Sequence, residues 1–169
     1  MSKDKENTEH FLKLYKDHSD ELFRYCFFKT GNRELAVEIT QEVFTKMWSS
    51  TQKGNVLDNA KAFLYASARN SVTDWYRKKK MVSLDELDEA GFDSPYEPTH
   101  RPVDLLEVER ILEKAGQLEE KYQEVIILRF VNDLSITEIA LLLKEKENNI
   151  SVRIHRALEK LRKLYTHEK

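Results

Sequence analysis

The sequence predicts an all-α chain: two small helical domains joined by a flexible acidic linker. Three observations carry that prediction. Only 4 Gly and 3 Pro occur in 169 residues, too few for the turns of an all-β fold and few enough to leave long stretches uninterrupted. Apolar residues recur at three- and four-residue spacing through both halves. All the prolines (Pro95, Pro98 and Pro102) fall with Gly91 and a run of acids in residues 81–102, a segment with little reason to fold alone. The boundaries follow: a first domain over 1–80, a linker over 81–103 and a second domain over 104–169. Hydrophobic residues at 40% and charged residues at 34% fit modest folded cores and argue against wholesale disorder.

In the first half, residues 9–15 and 21–28 are apolar at helical spacing, with Ser19 between them as the cap of the second helix. Gly31 and Asn32 tolerate the left-handed backbone of a helix stop. A third helix is expected over 33–50, where Leu35, Ile39, Val43 and Met47 recur every fourth residue beside Ala36, Phe44 and Trp48. Gly54 and Asn55 place a loop at 49–58. A long helix then covers 59–80. At about 100° per residue, Leu64, Ala68, Ser71 and Trp75 share its packed side, while Asn59, Phe63, Asn70 and Arg77 project from the other.

In the second half, Leu105, Val108, Ile111 and Leu112 suggest one helix, and Leu118, Tyr122, Val125, Ile126 and Arg129 another, closed by a turn at 131–134 with Asn132 and Asp133. Ser135-Ile136-Thr137-Glu138 is a capping-box pattern that opens a short helix over 136–143. Residues 144–146 are a tight turn. A longer helix from 147 to 165 carries an apolar stripe of Ile150, Ile154, Ala157, Leu161 and Leu164, with Asn148, Val152, His155, Arg156, Glu159 and Lys163 outward. A capped helix, a short turn and a second helix with a polar, basic outer side make a helix-turn-helix. Its second helix hides one stripe and offers the other to a DNA major groove, although a helical hairpin with a solvated face has the same pattern.

Charge supports a nucleic-acid partner only when read locally. The net charge of −2 is unlike a basic binder. The mean conceals Arg77-Lys78-Lys79-Lys80, then the acids Asp85, Glu86, Asp88, Glu89, Asp93 and Glu97, then the basic tail residues Arg153, Arg156, Lys160, Arg162 and Lys163. The single cysteine, Cys26, excludes an internal disulfide and sits among apolar neighbours as a buried structural thiol. The 5 histidines do not pair at metal-ligand spacing, so no metal or other cofactor is expected. No metal-carboxylate cluster, glycine-rich phosphate loop or nucleophile motif points to an enzyme. Residues 1–8 lack an apolar signal core and no run approaches about 20 apolar residues, so a cytoplasmic chain is expected.

These residues also resemble a known family. LEEKYQEVIILRFVNDLSITEIALLLKEKENNISVRIHRALEKLR is similar to region 4 of extracytoplasmic-function (ECF) sigma factors. That region has an EIA core in one helix and an R-x-x-RA ending in the next, supplied here by Glu138-Ile139-Ala140 and by Arg153, Arg156 and Ala157. ELAVEITQEVFTKMW resembles region 2.1–2.2, through Glu38, Gln41, Glu42 and Phe44, and AFLYASARNSVTDWYRKKK resembles region 2.3–2.4. The resemblance spans about residues 9–80 and 104–165, in the family's order. The pattern departs at three places. Lys144 stands where a glycine is usual, Asn148-Asn149 replaces a Gly-Thr pair, and Ser151 replaces a common basic residue. These departures bear on promoter preference rather than on fold.

The resemblance implies a factor that binds core RNA polymerase and directs it to promoters. Glu38, Gln41, Glu42, Phe44 and Trp48 would meet the clamp helices of the β′ subunit, although aromatics at this spacing are more often core. The C-terminal domain would meet the β flap. Asn70 would read a flipped base of the −10 element beside the loop 50–58, with Arg77, Lys78 and Lys79 on phosphates. Trp75 is expected to pack and Tyr76 to be exposed. Asn149, Ser151, Val152, His155 and Arg156 would face the −35 element. Arg153 points sideways, toward a phosphate or a contact within its own domain, and His155 also reads as an ordinary exposed histidine. The acidic linker would thread the polymerase near the template strand. An anti-sigma factor, in the family commonly membrane-anchored, would be the regulator. The competing reading is a stand-alone helix-turn-helix regulator, for which residues 70–80 would have no use.

Overall fold

The computed structural model describes residues 2–55, 57–82, 110 and 113–167. It separates into two compact units, Met1–Asp93 and Ser94–Lys169. The acidic segment and the helix expected around Leu105 and Leu112 lie outside the described residues.

The first unit packs three helices pairwise: α1 (Lys3–Thr30), α2 (Arg33–Gln52) and α3 (Ala60–Val82). Leu22, Tyr25, Cys26 and Phe27 of α1 meet Ala36, Ile39, Val43, Phe44 and Met47 of α2 and Leu64, Tyr65, Ala68 and Val72 of α3 in one buried core. Tyr25 and Tyr65 are edge-to-face at 5.6 Å, an arrangement that aligns the positive rim of one ring with the negative face of the other. Each fully buried large apolar side chain here stabilises the unit by about 1.5–3 kcal/mol. Gly31 ends α1 at φ 64°, its N–H donating to the Phe27 carbonyl at 2.7 Å. Asn32 then caps α2, its side chain accepting from the Leu35 N–H at 3.1 Å.

Three sequence expectations are corrected here. Residues 9–15 and 21–28 are not separate helices: α1 runs unbroken through Ser19. The half-buried side chains of Phe11, Leu14 and His18 lead without a gap into buried Leu22 and Tyr25, so one continuous stripe holds the helix together. A serine inside a helix costs only about 0.5 kcal/mol against that. α2 continues past its expected end at Ser50 to Gln52, inside the expected loop, and Gly54 at φ 81° reverses the chain after it. On α3 the buried stripe includes Tyr65 and Val72, whereas Ser71 and Trp75 are half-buried. A helix packed against two neighbours buries a wider arc than one stripe.

The second unit has α4 (Glu120–Ile126), which runs into a wider π turn over Ile127–Val131, then α5 (Ile136–Leu143) and α6 (Glu147–Thr166). Its core joins Val125, Ile126, Ile127 and Leu128 to Leu134, Ile139, Ile150, Ile154 and Ala157. Asn132 donates its N–H to the Ile127 carbonyl at 3.0 Å, five residues back, and Asp133 at φ 55° turns the chain. The capping box forms as the sequence predicts. Ser135 Oγ accepts from the Glu138 N–H at 3.1 Å, and Glu138 Oε2 accepts from the Ser135 N–H at 2.8 Å.

Candidate nucleic-acid interface

α6 is divided lengthwise by its own sequence. Ile150, Ile154, Ala157 and Leu161 are buried at i, i+4, i+7 and i+11, and Leu164 is half-buried at the end of the stripe. Asn149, Ser151, Val152, His155 and Arg156 are all exposed on the remaining surface, beside Asn148, Glu159 and Lys163. The arrangement presents hydroxyl, amide, imidazole, guanidinium and one branched apolar group from a single rigid helix. Those groups can bond base edges and touch a thymine methyl. His155 Nε2 lies 3.5 Å from Glu159 Oε1, one turn on.

Arg153 turns away from that surface. Its Nη2 donates to both carboxylate oxygens of Glu145, at 2.8 and 2.6 Å, across the turn between α5 and α6. Of the two roles left open for Arg153, the structure gives the contact within its own domain. The Glu145 partner was not legible, because a spacing of eight residues that spans a turn has no helical period. Lys144, which occupies the position where glycine is usual, adopts φ 55° and ψ 44°, the left-handed conformation that glycine tolerates without strain.

In the first unit, Asn70 is exposed on α3, about two turns before the exposed block Arg77, Lys78 and Lys79. Arg77 stays extended over solvent, 3.8 Å from Asp74, and Lys79 Nζ sits 4.8 Å over the Trp75 ring. Trp75 is half-buried and Tyr76 is exposed. Tyr76 is nonetheless tied down, since its hydroxyl donates to the Lys29 carbonyl at the end of α1. The basic end of α3 is thereby fixed against α1.

The surface of α2 is mixed. Glu38, Gln41 and Glu42 are exposed, with Glu42 paired to Lys46 at 2.8 Å. Phe44 is a core residue only 3% exposed, covered by Tyr15 at 4.9 Å and Phe11 at 6.3 Å. Its ring packs in the core, as aromatics at this spacing more often do. Trp48 is half-buried, 5.0 Å from Phe11, and keeps an exposed edge. Phe11 and Tyr15 stack on each other along α1 at 6.4 Å, but their contact with Phe44 joins two helices and has no signal in the spacing of either.

Cys26 is fully buried, and loss of solvent pushes its thiol from the ordinary 9.0 up to about 12, against a smaller lowering by a hydrogen bond with Thr40. It is a structural thiol rather than a nucleophile. Among the described residues no helix is long and apolar enough to cross a membrane.

Comparison with known proteins decides what these surfaces belong to. The model of sigma-70 region 2 matches residues 14–81, and that of sigma-70 region 4 matches residues 108–161. The chain belongs to the sigma-70 family. Among curated relatives it is similar to RNA polymerase sigma factor SigV of Bacillus subtilis (strain 168), 29% identical over 153 residues that cover 90% of this chain and 89% of the relative. It is also similar to the ECF RNA polymerase sigma factor SigW of the same organism, 28% identical over 169 residues covering 94% and 90%. The fold matches the sigma factor RpoE solved in complex with the anti-sigma factor NepR from Bartonella quintana, with TM-score 0.77, 18% identity, and 95% and 99% of the two chains covered. CnrH, solved with the cytosolic domain of CnrY, gives TM-score 0.71 at 21% identity, covering 96% of this chain and 91% of the other. This sigma factor is of the ECF type, and its function is promoter-directed initiation of transcription. Matches in both units do not favour a stand-alone helix-turn-helix regulator, which needs only the second.

Proposed function

We propose a division of labour in which each unit of this sigma factor handles a different form of promoter DNA. The observation that carries it is the lengthwise partition of α6, with Asn149, Ser151, Val152, His155 and Arg156 exposed over a fully packed stripe. Residues 104–169 are read as the −35 module. The N-terminal turns of α6 enter the major groove, Arg156 and Asn149 bond base edges or phosphates, and Val152 supplies apolar contact. Residues 1–80 are read as the module for core polymerase and the −10 element. The Asn70 amide, which both donates and accepts, reads an unpaired base, and Arg77, Lys78 and Lys79 hold the single strand by its phosphates. Glu38, Gln41, Glu42 and the exposed edge of Trp48 form the surface offered to the polymerase β′ clamp helices, with the β flap meeting the second module.

Residues 81–103 act as the acidic tether between the modules. The polymerase supplies the chemistry, and this chain binds and positions without catalysis or a cofactor of its own. Its place of action is the cytoplasm, where the polymerase is. An anti-sigma factor that covers both modules is its regulator, a reading supported by the complexes in which RpoE and CnrH were solved.

Run-off transcription with core polymerase tests the assignment residue by residue. Arg156→Ala lowers transcription from a −35-dependent promoter at least about fivefold, the loss of one good base contact, without unfolding the chain. Asn70→Ala leaves polymerase binding intact and reduces strand opening seen by permanganate footprinting. Full transcription by the first variant, or normal opening by the second, removes that residue from the interface.

A further inference from the structure

The geometry points to Arg153 as a positioning residue that acts through Glu145 to set the angle at which α6 presents its exposed face to DNA. The inference rests on the reading of α6 as the −35 helix and deepens it. α6 begins without a side-chain anchor of its own, because Lys146 stands at its N-cap and makes no capping hydrogen bond. The preceding turn is strained at Lys144, at φ 55°. Something else has to fix the start of α6, and Glu145 is placed to do so. Its backbone N–H donates to the Ala140 carbonyl of α5 at 3.0 Å, while both oxygens of its carboxylate accept from Arg153 Nη2 of α6 at 2.8 and 2.6 Å. One residue is thus bonded to both helices of the motif. The pair is sheltered, with side chains only 22% and 31% exposed, so water competes with it less than with a surface pair.

Arg153 immediately follows Val152 and precedes Arg156 by one turn, both of which are exposed. Tilting α6 about an unclamped turn moves those two side chains together, and base readout depends on their placement to within fractions of an ångström. The pair has an electrostatic consequence as well. The N-terminus of a helix attracts phosphate, and an unpartnered Glu145 carboxylate just outside α6 repels it. Arg153 neutralises that acid, so it favours DNA at the helix end without touching it.

The test uses the full chain with core polymerase. Its probe is the promoter fragment that the wild-type holoenzyme transcribes best from a genomic pool, intact or with its −35 element scrambled. Arg153→Met and Glu145→Gln each lower the intact-to-scrambled ratio about fivefold, and the double variant is no worse than the weaker single, as coupled residues require. Affinity for core polymerase is unchanged. Three results overturn the inference. If Arg153→Met lowers transcription equally on both fragments, with a salt dependence reduced by about one ion while Glu145→Gln is neutral, Arg153 is a phosphate ligand. If both variants lose only thermal stability and regain the wild-type ratio on cooling, the pair is merely structural. If the ratio is unaltered in both, the turn holds without them. A wild-type holoenzyme indifferent to the scrambled element fails differently, since it removes the −35 reading itself and with it this inference.

Discussion

Lys144 offers the cleanest physical test of the turn in the helix-turn-helix. Its backbone sits at φ 55° and ψ 44°, where a side chain with a Cβ crowds the carbonyl. For an L-residue that conformation costs roughly 1–2 kcal/mol. Glycine avoids the crowding and loses more freedom on folding, which returns about 0.5–1 kcal/mol of the gain. The comparison that isolates the backbone is Lys144→Gly against Lys144→Ala, because both remove the same exposed amine. Glycine should be more stable than alanine by roughly 0.5–1 kcal/mol. In a unit of this size that is about 2–8 °C in thermal midpoint.

The sign is the useful part. In an ordinary helical position glycine is the less stable of the two by about the same amount. The assay can be confined to the right unit because both tryptophans, Trp48 and Trp75, lie in the first unit. Far-UV circular dichroism should therefore show a shifted transition while tryptophan fluorescence shows none. An alanine variant as stable as the glycine variant, or more so, refutes the left-handed assignment and the strain built on it.

Two further predictions follow from single contacts. Ser135→Ala removes the acceptor for the Glu138 N–H and should destabilise the second unit by about 1 kcal/mol, read by the same dichroism transition; an unchanged midpoint would mean the capping box is idle. Cys26 should resist thiol-specific labelling in the native chain at pH 8 and label at the rate of unfolding, and its raised pKa sets a pH window: because the folded thiol holds its proton up to about 12 and the ordinary value is 9.0, its contribution is complete below pH 9 and is lost as pH rises from there toward 12. Fast labelling of the folded chain, or stability flat across that window, contradicts the buried placement.

Much of the architecture was legible because local signals agreed with the tertiary result. The Ser135 and Glu138 pair, the turn at 144–146 and the stripe from Ile150 to Leu161 all appear in the structure where periodicity puts them. Misreadings came where packing overrode a local preference. Ser19 has the chemistry of a cap, yet the stripe through His18 and Leu22 carries α1 past it, and His18 Nδ1 lies 2.5 Å from Glu21 Oε1 within the same turn of helix. Thr51 and Gln52 read as loop, yet Thr51 Oγ1 donates to the Met47 carbonyl at 3.0 Å and the helix continues through them.

The candidate surfaces divide the same way. Exposure of Asn70 and of the outward side of α6 follows from helical geometry alone. Burial of Phe44 depends on Phe11 and Tyr15, about thirty residues earlier in the chain. The Glu145–Arg153 pair depends on how two helices meet. Contacts of that kind have no period in one dimension, and no reading of spacing recovers them.

Dependence on core polymerase is what separates a sigma factor from a stand-alone DNA binder. Its most direct measurement is run-off transcription by the purified full chain on genomic fragments with and without core polymerase, alongside gel-shift of the same fragments. A discrete set of transcripts that needs both components, with no specific duplex retardation by the chain alone, is the predicted result. A chain that fails to bind core polymerase yet retards a specific duplex by itself would contradict it.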